Sequence, residues 1–142
     1  VDKRILARTG PAHFVNNRDG AHPHLLERLD GELDAVWPAS RRLSPDELLG
    51  DAPSLVDAVA TRGWPSLDET RGEALFVLWN TGRTRAIYSR NGASLAGRAM
   101  FVRGVYGSPT GVVLGIDKPQ GREAEIRDAL SRGFLVRVRA DR

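Results

Sequence analysis

Four apolar stretches of strand length restrict the folds open to this 142-residue chain, because helical or long connecting segments separate each from the next. They are residues 74–80, 98–105, 111–119 and the closing run "FLVRVRA" at 134–140. Continuous apolar strands are typical of parallel sheets that are covered on both faces, since parallel neighbours need long crossover connections. The sequence therefore predicts an α/β fold with a mainly parallel sheet.

Helical spacing and capping residues are found between and before these strands. The segment "HPHLLERLDGELDAVW" has Pro23 in its first turn, a position that proline favours. The segments "SPDELLG" and "SLVDAVATRG" begin with the capping serines Ser44 and Ser54 and end at a glycine. The first helix is predicted to bury Leu25, Leu26, Leu29, Leu33 and Val36.

A last helix is predicted in "GREAEIRDALSRG", immediately before the closing strand. Its apolar spacing predicts that Ile126, Ala129 and Leu130 are buried, and Gly133 is suited to end the helix.

Composition and charge exclude several classes of protein. Hydrophobic residues make up 41% and charged residues 27% of the chain, as in soluble globular proteins. No apolar run approaches the roughly 20 residues of a membrane helix, and no signal-peptide pattern is present. Cysteine is absent, which excludes disulfides and thiolate metal sites. The arginines are interleaved with acids along the chain, so we expect no nucleic-acid partner, although the arginine excess leaves a small nucleic-acid-binding domain as a third reading.

The closing strand carries two arginines on one face. Alternate side chains of an extended chain share a face, so Arg137 and Arg139 lie with Leu135. The opposite face holds Phe134, Val136 and Val138. An unpaired buried guanidinium is costly, so we expect a polar or anionic group to meet the arginine face.

Three stretches carry a resemblance to a known family. The first is "LDGELDAVWPASRRLSPDELLG" followed by "SLVDAVATRGWPSLDETRGEALFVLWN", the second is "SLAGRAMFV", and the third is "RGFLVRVRAD". In this order and spacing, over residues 29–142, the chain resembles the calcium-dependent phosphoinositide phospholipase C-like proteins. That family has a Gly-Trp-Pro sequence, then a Leu-x-Gly-Arg-x-Met/Leu-Phe segment, then a closing strand similar to Val-Arg-Thr-Arg-Ala-Asp.

The resemblance implies part of a (β/α) TIM-type barrel phosphodiesterase. A complete barrel needs about 250 residues, so residues 1–142 would form a single partial domain, incomplete at both ends and taken from the middle-to-late barrel. The remainder of the barrel would then be needed as a partner. Half a barrel exposes apolar faces and unpaired strand edges, so we expect the isolated chain to aggregate or to depend on a partner.

The resemblance also implies catalytic groups that this sequence does not carry. Phospholipase C chemistry needs a general base and a general acid, commonly two histidines, and the family places one in an early Gly-Thr-His-Asn-Ser-Tyr motif. That catalytic N-terminal part is absent here, so the chain alone is expected to be inactive. Its histidines, which are more typical of exposed positions, are His13, His22 and His24.

Calcium is implied as a cofactor by the resemblance, with ligands mostly outside this chain. The segment "NNRDG" offers oxygen ligands, but it lacks the alternating acids of an EF-hand and is interpreted most simply as a turn. The side chains concerned are Asn16, Asn17 and Asp19.

Substrate-binding residues follow from the barrel that the resemblance implies, because barrel active sites lie at the carboxyl ends of the strands. Arg139, helped by Arg137, is predicted to contact the phosphoryl or inositol phosphate groups, since an arginine fork matches a pair of phosphate oxygens. Asp141 would orient an arginine or a sugar hydroxyl. Trp79 and Asn80 end the 74–80 strand, where substrate would lie. The alternative is an internal network of arginine and carboxylate groups.

The function implied is a fragment of a phosphoric diester hydrolase acting on an inositol lipid or a related glycerophosphodiester. Its partners would be the phospholipid head group and, transiently, a membrane surface, and the resemblance is compatible with secretion. Trp79, Asp117 and Val138 depart from the family pattern, which more often has an acid, Asn-Asp-Pro and threonine there. A non-catalytic phosphate-binding module, or pseudo-enzyme, is therefore the alternative function.

Overall fold

The computed structural model describes residues 23–139, which contain helices and short parallel strands. The helices are α1 (Pro23–Val36), α2 (Pro45–Leu49), α3 (Leu55–Arg62), α4 (Gly82–Tyr88) and α5 (Glu123–Ser131), with a 3₁₀ turn at Ala39–Arg41. The strands are β1 (Val77–Leu78), β2 (Phe101–Val102), β3 (Val113–Ile116) and β4 (Leu135–Val138). The mixture of helices and strands agrees with the predicted α/β class.

Strand pairing is parallel throughout the part of the chain that the structure describes. β1 pairs with β2, and β3 pairs with β4 in a register that sets Gly115 opposite Arg137. One backbone hydrogen bond, from the Gly104 N–H to the Val113 carbonyl at 2.8 Å, joins the two pairs. Residues 23–139 thus form two small parallel sheets and do not form a closed barrel. The sequence also predicts a short strand in "AHFVN" at residues 12–16, which lie outside the described residues.

The hydrophobic core lies between the strands and the helices that cover them. Its most deeply buried side chains come from α1, α4, β2 and the residues around β3: Leu26, Tyr88, Phe101, Val102, Val112 and Ile116. Trp64, from the Gly-Trp-Pro sequence at residues 63–65, packs its ring against Phe101 and donates to the Gly133 carbonyl at 2.8 Å. Trp64 therefore ties β2 to the residues that follow α5.

Capping residues confirm the predicted helix ends. The Ser44 hydroxyl accepts a hydrogen bond from the Glu47 N–H at 3.2 Å, and the Ser54 hydroxyl accepts one from the Asp57 N–H at 3.1 Å. Gly133 follows α5 with φ of 78°, a left-handed conformation that glycine adopts without strain.

Two burial predictions are wrong, and one helix was not predicted. Val36 is 78% exposed and Leu130 is 56% exposed. In α1 the buried face contains Leu26 and Asp30, and Val36 is rotated away from that face by the 3.6-residue period. In α5 it is Ala129 that faces the core, so its neighbour Leu130 turns outward. Helix α4 starts at a glycine and has no side-chain cap, so the sequence carries little sign of it.

A buried polar network fixes the start of β2. Asp30 in α1 accepts hydrogen bonds from the Tyr88 hydroxyl, from Arg98 at 3.2 Å and from the Ala99 N–H at 3.3 Å. The Met100 N–H donates to the Tyr88 hydroxyl at 3.1 Å. Because side chains satisfy these two amides, strand pairing begins at Phe101 instead of at the predicted residue 98. The segment "GRAMF" thus positions β2 against α1 and α4.

The same network makes stability depend on pH in the alkaline range. Burial and then the hydrogen bond to Asp30 raise the pKa of Tyr88 above its ordinary value. The folded state therefore keeps a proton that the unfolded state releases above about pH 10. The contribution of Tyr88 is complete below that pH and is lost as the pH rises. We expect the free energy of unfolding to fall by up to about 1.4 kcal/mol more per pH unit than in Tyr88→Phe.

Urea denaturation of both proteins across the range from about pH 9 to about pH 11 measures this difference. All other residues are the same in both proteins, so the comparison isolates the contribution of Tyr88. Parallel pH dependences for the two proteins would contradict the expectation.

Candidate functional site

Polar and aromatic side chains gather where the four parallel strands end. Trp79 follows β1, Arg103 follows β2, Asp117 follows β3, and Arg137 is the third residue of β4. The carboxyl ends of parallel strands meet at one edge of a sheet, which is where α/β proteins bind ligands. We call these four residues the aromatic–arginine cluster.

One carboxylate and one ring hold the two guanidinium groups of the cluster. One oxygen of Asp117 lies 3.1 Å from Arg137 Nη1, and its other oxygen lies 3.1 Å from Arg103 Nη2. Arg103 also donates to the Gly115 carbonyl at 2.8 Å. The guanidinium carbons of Arg103 and Arg137 lie 5.3 Å and 4.9 Å from the centroid of the Trp79 ring, within cation–π range.

Gly115 makes room for this arrangement. A Cβ built on Gly115 would lie 2.6 Å from Arg103 Nε and 2.6 Å from Trp79 Cζ2. Such distances are far shorter than van der Waals contact, so any larger residue would displace both side chains. The glycine in "VVLGID" is therefore required by the close approach of its neighbours to β3.

The electrostatics of the cluster favour an anion. Two arginines share a single aspartate, which leaves an excess of positive charge. Asp117 uses one oxygen for each arginine, so it sets the distance between the two forks, and several N–H donors of each have no described partner within residues 23–139. The Arg137 side chain is 52% exposed, which gives a ligand access to those donors. Paired guanidinium groups of this kind bind the oxygens of phosphate or carboxylate.

The predicted site residues are brought together only in part. Trp79 and Arg137 are in contact. Arg137 also pairs with the carboxylate of Asp117, which is the kind of contact that the alternative, an internal arginine–carboxylate network, predicts. Asn80 is half-buried beside Trp79, and no described hydrogen bond joins its side chain to the cluster. Arg139 is half-buried one residue beyond β4. Asp141 lies outside the described residues, as do His13, His22 and the "NNRDG" segment that was interpreted as a turn.

Sequence reasoning missed Arg103 as a member of the site. The stretch "RAMFVRGV" was interpreted as an apolar strand, yet alternation puts Arg103 on the same face as Phe101 and at the strand's end. Asp117 was noted only as a departure from the family pattern. Arg103 and Asp117 share one sequence signal: each is a polar residue directly after a buried strand.

The described residues do not fit a calcium site. Within residues 23–139 no group of three or more histidine, cysteine or acidic side chains is placed to hold a metal ion. The carboxylate of Asp117 is already shared by two arginines, whose charges oppose a cation there. Among the same residues, no helix is both long and apolar enough to cross a membrane.

Comparison with known proteins gives one match. A family model described as "Phosphoinositide phospholipase C, Ca2+-dependent" matches residues 8–142. Neither the curated proteins nor the solved structures that were searched contain a match to the chain.

Proposed function

The chain belongs to the Ca²⁺-dependent phosphoinositide phospholipase C family, and we propose from this that it forms the substrate-side part of a phosphoric diester hydrolase. The substrate class is the phosphodiester of an inositol lipid or of a related glycerophosphodiester. Family membership supports the phospholipase C-related function. The observation that carries the finer proposal is the aromatic–arginine cluster at the carboxyl ends of the strands.

In this proposal Arg103 and Arg137 bind the phosphoryl oxygens. Each guanidinium can direct two parallel N–H donors at a pair of oxygens, and Asp117 holds the two forks at a fixed separation. The Trp79 ring is covered by guanidinium groups, so its role is to hold the arginines and not to stack on a sugar. Arg139 and Asp141 follow β4 in the sequence, and a head-group contact remains our prediction for them.

The barrel is the second part of the proposal. Residues 23–139 supply four parallel strands, half of the eight strands in a (β/α) barrel. Their polar cluster lies at the carboxyl ends, as in barrel active sites. We propose that segments outside these residues provide the other strands, the general acid and base, and the ligands of the Ca²⁺ for which the family is named. No catalytic step is assigned to Ca²⁺ here, because the described residues do not fit it.

A non-catalytic phosphate-binding module is the second candidate. It is favoured by one observation: His24 is the single histidine among residues 23–139, and it lies on α1, away in sequence from the strand ends. Such a module would keep the arginine pair and bind a head group, with transient contact to a membrane surface, without cleaving it.

Replacing Arg137 by glutamine tests the proposed function. We expect Arg137→Gln to lower kcat/KM for phosphatidylinositol cleavage by about tenfold, because it removes charge-assisted hydrogen bonds from a half-exposed group. The measurement is release of inositol phosphate from phosphatidylinositol vesicles by the full-length protein in the presence of Ca²⁺.

Arg127→Gln is the matched control. Arg127 is exposed on α5, so this substitution removes the same charge at a position away from the cluster. Equal losses in both variants would mean a general effect of charge and would sink the proposal. Head-group binding that depends on Arg137, without any cleavage, would favour the phosphate-binding module.

A further inference from the structure

A cavity lies on the other side of β2 from the aromatic–arginine cluster. Its volume is about 240 Å³, and it opens between α4 and residues 105–110. Val102 and Gly104 line it, whereas Arg103 between them points to Asp117. Successive residues of an extended chain face opposite ways, so the cavity and the cluster are separate spaces with one strand between them.

Arg85 from α4 gives this cavity its charge. Arg85 is one of the residues that line the cavity, and no described carboxylate in residues 23–139 forms an ion pair with its guanidinium. Its one described hydrogen bond is to the Arg103 carbonyl at 3.5 Å, the upper limit for such a bond. A half-buried guanidinium with such weak pairing is a favourable partner for an anion.

The hydroxyl groups around the cavity are already committed as donors. The hydroxyls of Ser89, Ser108 and Thr110 donate to the carbonyls of Arg85, Val105 and Gly92, respectively. These bonds fix the walls and leave Arg85 as the cationic donor to a ligand, beside the amide residue Asn91, which also lines the cavity. The remaining wall is largely apolar, with Ala86, Val102 and Val105. A ligand that fits has an oxyanion at one end and little other polarity.

We propose that this cavity is a second oxyanion-binding site, with Arg85 as its cationic anchor and a small phosphate or carboxylate compound as its ligand. The site is independent of the proposed phosphodiesterase function. Ligand binding exchanges the weak contact with the Arg103 carbonyl for charge-assisted hydrogen bonds, which are shorter and stronger.

Backbone amide NMR shifts of the full-length protein test the proposal, with inorganic phosphate and acetate as separate probes. We expect saturable shifts at Gly92 and Gly104. The anion that binds with the higher affinity identifies the class of ligand, phosphate or carboxylate. Arg85→Gln is expected to weaken this binding by about tenfold. Arg83→Gln removes the same charge from an exposed position of the same helix and should bind as the native protein does.

A second variant acts on volume alone. Ala86→Leu fills part of the cavity while keeping Arg85, and it should weaken the same shifts. Anion binding at the cluster would shift the Gly115 amide, and Arg137→Gln should reduce that shift. The same substitution should leave the shifts at Gly92 intact, which separates the cavity from the cluster. The proposal is overturned if neither anion gives saturable shifts at Gly92, or if Arg85→Gln and Ala86→Leu both titrate as the native protein does.

Discussion

Asp30→Ala is expected to lower the free energy of unfolding by about 3–5 kcal/mol, the cost of breaking a buried ion pair by removing one partner. Asp30 is 8% exposed and accepts hydrogen bonds from Tyr88, Arg98 and the Ala99 N–H. Its removal leaves a guanidinium, a phenol and an amide without their acceptor in a site that water reaches poorly. Urea denaturation of the full-length protein near neutral pH measures the loss.

The reason for this large effect is that the network joins three distant parts of the chain. Asp30 lies on α1, Tyr88 on α4, and Arg98 in the segment that leads into β2. Arg98 also donates to the Tyr88 carbonyl at 3.2 Å and lies over the Tyr88 ring. Loss of the carboxylate therefore loosens the position of β2, which carries Arg103 into the candidate site.

Two comparisons make the Asp30 result specific. Glu32→Ala removes an acid from the same helix, where it is 63% exposed and pairs with Arg28 at 3.7 Å. Such surface pairs are worth about 0.5 kcal/mol or less. The double substitution Asp30→Leu with Arg98→Met removes both charges and should cost less than Asp30→Ala alone. A loss for Asp30→Ala as small as that for Glu32→Ala would show that the network contributes little.

Local signals in the sequence were sufficient for most helix ends. The Ser44 and Ser54 caps and the Gly133 stop depend on residues within one turn, so they could be predicted. The bounds of the strands could not be predicted as accurately as the helix ends. β2 is only two residues long because α1 and α4 supply side chains to the amides before it. The bond between Asp30 and the Ala99 amide joins residues 69 positions apart in the chain, and the bond between Tyr88 and the Met100 amide joins residues 12 positions apart.

In the candidate site, too, local features could be predicted from the sequence and long-range contacts could not. Alternation along the last strand identified Arg137 as facing something polar, and the strand end identified Trp79. The carboxylate that meets Arg137 comes from a different strand, and its choice depends on which strands are neighbours. Arg103 was missed for that reason: its partner Asp117 follows a strand of the other sheet, and the spacing of residues within a single segment does not show which strands are neighbours.

The fit around Gly115 allows the cluster to be disturbed without removing any of its groups. Gly115 does not have a positive φ, so alanine is compatible with its backbone. The added methyl group would lie 2.6 Å from both Arg103 Nε and Trp79 Cζ2. Both side chains must therefore shift, while their charges, hydrogen-bonding groups and chain positions stay the same. Overpacking of this kind typically costs about 1–3 kcal/mol of stability.

Gly115→Ala is expected to lower kcat/KM for phosphatidylinositol cleavage by about a hundredfold, because misplacing a positioning group by about 1 Å can cost that much. The measurement is inositol phosphate release by the full-length protein, with urea denaturation to confirm folding. Gly31→Ala adds the same methyl group where nothing lies within 4 Å and should leave turnover unchanged. If folded Gly115→Ala keeps native turnover and native head-group affinity, then the geometry of the two arginines does not matter to the substrate, and their assignment as phosphate anchors is wrong. If affinity falls without any turnover in the native protein, the arginines bind phosphate in a protein that does not cleave it.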